Sequence, residues 1–133
     1  MFDSREDVQL DYYGLADAWV EAPRPQLTRV VVNLLTNAIQ AVEDAPAPHR
    51  LLVSVRNSSE DGFYEIVVED NGPGVSEQNQ DKIFTPDFTT KTSGSGLGLA
   101  ICKRIVEHCG GSIGYSRSFA LGGACFTVKY PKA

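Results

Sequence analysis

The chain has 133 residues, 42% of them hydrophobic and 22% charged, which suits one globular domain with a single two-layer core. Its formal net charge of -5 argues against a nucleic-acid footprint, so a polyanionic ligand must be met by local positive charge, from Lys91 and helix N-termini. No apolar run approaches the roughly 20 residues that span a bilayer, and the polar start Met1-Phe2-Asp3-Ser4-Arg5-Glu6-Asp7 is unlike a signal peptide, so the chain reads as cytoplasmic without direct membrane contact.

A first strand is expected near Gln9 to Tyr13. From Arg24 to about Asp44, Leu27, Val30, Val31, Leu34, Leu35, Ala38, Ala41 and Val42 recur at helical spacing, with Pro25 suited to a first turn. Ala45-Pro46-Ala47-Pro48 ends that helix. Leu51 to Asn57 and Phe63 to Glu69 are β-rich runs separated by Ser58-Ser59-Glu60-Asp61-Gly62, the composition of a hairpin loop, and should pair antiparallel. Asp70-Asn71-Gly72-Pro73-Gly74 is a dense set of turn residues, followed by a short helix near Ser76 to Ile83. Phe84 to Ser95 lacks a clear period and reads as a loop. A helix from Leu97 to about Cys109 is stopped by Gly110-Gly111, and Ser112 to Arg117 and Ala124 to Tyr130 form a second hairpin around Leu121-Gly122-Gly123. About five strands in an antiparallel or mixed sheet, covered on one face by two or three helices, make an α/β two-layer sandwich.

Four clusters along this frame carry chemistry. Asn33 and Asn37 lie four apart on the first helix and share a face. With Arg29 and Gln40 they form a solvated stripe, or their amide oxygens bind a hard cation such as Mg2+. Asp70 ends a strand, where it either begins an ordinary turn or accepts a hydrogen bond from an exocyclic amine such as adenine's; Gly72 and Gly74 would leave room for a flat ring. Gly94, Gly96 and Gly98 run into an amphipathic helix, a junction that is either a plain turn or a phosphate cradle, because the first N–H groups of a helix are unpaired. Cys102, Cys109 and Cys125 lack metal-ligand spacing and read as packed free thiols, and His49 and His108 receive no role.

Asn-x-x-x-Asn-Ala, Asp-x-Gly-x-Gly, Phe-x-Pro-x-Phe-Thr-Thr-Lys and Gly-x-Gly-Leu-Gly-Leu follow one another in this order, and with them the chain resembles a known family. From about Gln26 to Pro131 it is similar to the catalytic and ATP-binding domain of sensor histidine kinases, closest to the nitrogen-regulation type. These kinases belong to the GHKL superfamily, with type II topoisomerases and mismatch-repair ATPases. The resemblance implies that Asn37 is the Mg2+ ligand, that Asn33 lines the triphosphate, and that Asp70 with Gly72 and Gly74 reads adenine. It implies that Gly94, Gly96, Leu97 and Gly98 wrap the phosphates, that Lys91 adds a cation, and that Ala41 and Val75 also contact nucleotide. Residues from about 75 to 96 would be the ATP lid.

The implied activity is transfer of the ATP γ-phosphate to a histidine on a separate dimerisation domain, with a response regulator downstream. No acceptor motif stands in this chain, which is expected to be monomeric and to bind ATP without completing the reaction alone. Hydrolytic relatives place a glutamate where Asn33 stands, and a carboxamide cannot act as a general base. A protein-serine kinase and a degenerate interaction module are the other readings. Two departures from the family pattern stand out: Asp87 replaces an aromatic and is expected to be exposed on the lid, and Gly123-Ala124-Cys125 offers no hydroxyl near adenine, with Thr127 as a doubtful substitute.

Overall fold

The computed structural model describes residues 8–43, 45–86 and 98–133. The elements run β1 (Val8–Gly14), α1 (Arg24–Glu43), β2 (His49–Asn57), β3 (Phe63–Asp70), α2 (Glu77–Gln80), α3 (Gly98–His108), β4 (Ser112–Arg117) and β5 (Ala124–Pro131). All five strands join one sheet in the order β1-β2-β3-β5-β4. The two expected hairpins are antiparallel, whereas β1 runs parallel to β2, with α1 as the crossover such a pair requires. The sheet is therefore mixed, and the architecture is the two-layer sandwich expected.

Alternation along the strands decides which face meets the helices. In β5, Ala124, Phe126, Val128 and Tyr130 are buried, and register places Val68 beside Phe126 and Ile66 beside Val128. Leu51 and Val53 of β2 continue the same face through their partners Asp70 and Val68. Against it α1 lays Val30, Leu34, Ala38 and Val42, four apart along one stripe, and α3 adds Cys102 and Val106.

The two long helices run antiparallel. The Cys102 thiol points to the Val30 carbonyl and the Cys109 thiol to the Gln26 amide oxygen, 3.8 and 4.0 Å away. Gly110, at φ 82°, stops α3, and the Gly111 N–H closes onto the Val106 carbonyl at 2.9 Å, the glycine stop that the sequence predicts. The short helix expected near Ser76 to Ile83 is confined to Glu77–Gln80, with turns continuing to Phe84.

Candidate functional site

Asp70 closes β3 with only 1% of its surface exposed. A buried carboxylate is costly unless donors reach it, and two main-chain donors do: the N–H groups of Gly72 and Ala124 both bond to Oδ1, at 2.9 and 3.2 Å. The Asp70 carbonyl in turn accepts the N–H of Gly123 at 3.1 Å. Asn71 staples the turn to the start of β2, its Oδ1 accepting the Arg50 N–H and its Nδ2 donating to the Pro48 carbonyl. The carboxylate is thus held in one orientation by the backbone around it, at the carboxyl end of a central strand.

The glycines of this turn are needed for a different reason from the one read in the sequence. A Cβ on Gly72 would lie 2.7 Å from the Ala41 carbonyl oxygen, and a Cβ on Gly74 would lie 2.7 Å from Nη1 of Arg117. In the direction a side chain would take, each glycine therefore meets protein. Gly74 also sits at φ 74°, where a side chain would be strained. Close contact with Gly72 sets Ala41 directly against the turn, and Asn37 and Asn33 follow it at four-residue intervals down one flank of α1.

That flank is not a solvated stripe. Asn33 and Asn37 are half-buried, and Asn33 hydrogen-bonds toward Cys102 of α3, where burial pushes the thiol up to about 11 from an ordinary 9.0. The row Ala41, Asn37, Asn33 leads from the Asp70 turn toward the beginning of α3. Gly98 opens α3, and among the described residues nothing lies within 4 Å of where its Cβ would stand. Asp87, Lys91, Gly94, Gly96 and Leu97 lie outside the described residues, and with them the expected exposure of Asp87 and the second part of the expected lid.

At the near end of the lid, the Val75 N–H donates to Tyr115 Oη at 3.0 Å. Thr127 pairs with Val67, so register puts its side chain on the opposite face of the sheet from Asp70. Ala124 occupies the position beside Asp70 and contributes its main-chain N–H instead. Arg117, Tyr115 and Gly123 were not legible as site residues. They lie 40 residues or more from the residues they touch, and no local pattern marks them.

The family model described as histidine kinase-, DNA gyrase B- and HSP90-like ATPase matches residues 22–133. The chain belongs to this ATPase family. Within it, sensor histidine kinase ZraS of Escherichia coli (strain K12) is 40% identical over 112 residues, 84% of this chain but 23% of that protein. The chain thus spans less than a quarter of that relative's length. The nucleotide-free catalytic domain of histidine kinase ThkA superposes with a TM-score of 0.81 at 31% identity, covering 97% of this chain and 82% of that one. Full-length ShkA in complex with AMPPNP matches with a TM-score of 0.74 at 28% identity, covering 98% of this chain and 27% of that one. As a member of the ATPase family, this domain is of the kind that sensor histidine kinases carry as their catalytic, ATP-binding part.

The donor set of this ATPase domain suits a hard divalent ion that arrives with phosphates. Among the described residues no three of His, Cys, Asp or Glu come together as ligands. An amide oxygen such as that of Asn37 is a hard donor, and Mg2+ commonly takes one or two protein oxygens and fills its shell with water and phosphate. Asn37 would be the residue to hold such an ion, which would supply charge neutralisation for the phosphates.

Proposed function

We propose that this chain binds Mg-ATP and transfers its γ-phosphate to a histidine on a separate dimerisation domain, in two-component signalling. The observation that carries the reading is the Asp70 carboxylate, buried at a strand end, oriented by two main-chain donors and continuous with the row Ala41, Asn37, Asn33. Asp70 would accept the adenine amine, with Gly72, Gly74, Ala41 and Val75 around the base. Asn37 would hold Mg2+, Asn33 would line the triphosphate, and Gly94, Gly96, Leu97, Gly98 and Lys91 would surround the phosphates. Phosphoryl transfer asks chiefly for such positioning and charge neutralisation.

The AMPPNP complex of ShkA supports ATP as the ligand, and a further structure of ThkA, in complex with the response regulator protein TrrA, supports a response regulator as the downstream partner. A carboxamide at position 33 disfavours hydrolysis, since it cannot take a proton from water. Among the described residues no helix is long and apolar enough to cross a membrane. We place the reaction in the cytoplasm, where ATP is supplied, and read the isolated domain as a monomer.

Calorimetric titration of the chain with ATP and Mg2+ tests the reading. Saturable one-to-one binding, followed by acid-labile phosphate on an added histidine-bearing dimerisation domain, is the expected result. A folded sample that binds no nucleotide would overturn it in favour of a degenerate interaction module.

A further inference from the structure

At the end of β4 the guanidinium of Arg117 joins two turns that meet only in the folded chain. Its Nη1 donates to the Pro73 carbonyl at 3.2 Å and to the Gly122 carbonyl at 2.9 Å. The first oxygen belongs to the turn after Asp70 and the second to the turn between β4 and β5. The guanidinium lies against Gly74, in the space a side chain there would need. We propose that Arg117 is a positioning residue for nucleotide binding, acting through the Gly72–Gly74 turn and Asp70. The inference rests on the nucleotide reading above and adds a residue to it.

Three further contacts show how tightly the two turns are registered. Gly123 donates its N–H to the Asp70 carbonyl, and its neighbour Ala124 donates to Asp70 Oδ1. A Cβ on Gly123 would lie 2.4 Å from both the Asp70 carbonyl oxygen and Oδ1, so the β4–β5 turn sits directly on the carboxylate. Ser118, 2% exposed, braces the same turn: its N–H bonds to the Gly123 carbonyl and its hydroxyl donates to Glu69 Oε1. Arg117 is the side chain that couples this braced hairpin to the Pro73 carbonyl on the far side of the carboxylate. Both bonds use the two N–H groups of Nη1, whose directions the planar guanidinium fixes, whereas the ammonium of a lysine rotates freely. Because the side chain is exposed, its removal leaves the core intact.

The test compares the full chain with Arg117→Met and Arg117→Lys, titrated with adenosine, ATP and GTP. Arg117→Met should weaken adenosine and ATP equally, by roughly tenfold, and narrow the preference for ATP over GTP. Arg117→Lys should recover part of both losses, and the thermal midpoint of the ligand-free variants should stay within a few degrees of the parent. Unchanged affinity and base preference in Arg117→Met would overturn the inference while leaving the nucleotide reading standing. A loss confined to ATP would also overturn it, since Arg117 would then meet phosphate directly. A parent chain that binds none of the three would defeat the nucleotide reading itself, and the inference with it.

Discussion

The ring of Phe84 stands edge-on to that of Phe126, with centroids 6.2 Å apart and planes 87° apart. Phe126 also meets Tyr115 at 5.4 Å, and Tyr115 accepts the Val75 N–H. Both ends of the described segment 75–86 are therefore fastened to the β4–β5 hairpin, one through an aromatic contact and one through a hydrogen bond. The first aromatic of the Phe-x-Pro run is a structural anchor for the root of the lid.

Phe84→Ala should cost about 2–3 kcal/mol, less than a fully buried phenylalanine because Phe84 is half-buried. Urea unfolding measures the loss. Hydrogen exchange should quicken at Ile83 and Thr85 beyond the global change, and uniform quickening across the domain would argue against a local anchor.

Asp70→Asn keeps an oxygen for the Gly72 and Ala124 N–H groups but removes the charge and presents an amide donor. Hydrogen bonds to charged groups are worth about 1.5–3 kcal/mol, so ATP affinity should fall by roughly tenfold to more than a hundredfold. Calorimetry decides this, and parental affinity in the variant would remove Asp70 from the site.

Asn37→Ala should abolish the contribution of Mg2+ to ATP binding. In the parent, replacing Mg2+ by a chelator should weaken ATP, whereas the variant should bind ATP about equally with and without the ion. A variant that still gains affinity from Mg2+ would mean that the ion is held elsewhere.

Stability should decline at alkaline pH for a reason inside the core. Burial pushes the Cys102 thiol from 9.0 up to about 11 and the Tyr130 phenol from 10.0 up to about 12. In both cases the folded state keeps its proton after the unfolded chain has lost it, so the stabilisation is complete below pH 9 and is lost as pH rises toward 12. The slope approaches ~1.4 kcal/mol per pH unit for each proton involved. Among the described residues Tyr130 Oη finds no hydrogen-bond partner, so Tyr130→Phe should leave stability near pH 7 unchanged within about 0.5 kcal/mol and flatten the upper part of this decline. Guanidinium unfolding at pH 7, 9 and 11 measures both effects, and a parent profile flat to pH 11 would refute the account.

The same two residues illustrate how far local pattern reaches. Helical periodicity from Leu27 to Val42 and alternation from Ala124 to Tyr130 depend only on residues a few positions apart, so both elements and their buried faces were legible in the chain alone. The order of the asparagine, aspartate and glycine clusters was equally local, and it identified the family and the candidate site. Other features depend on strand register and on side chains that meet across 40 residues or more, which nearest-neighbour pattern does not encode. Tertiary structure alone decided that β1 runs parallel to β2, that Thr127 faces away from Asp70, and that a side chain at position 72 would collide with the Ala41 carbonyl. The order of the motifs in the sequence pointed to the family and to a candidate site; the closing of the β4–β5 turn onto the turn after Asp70 decided how the carboxylate is held.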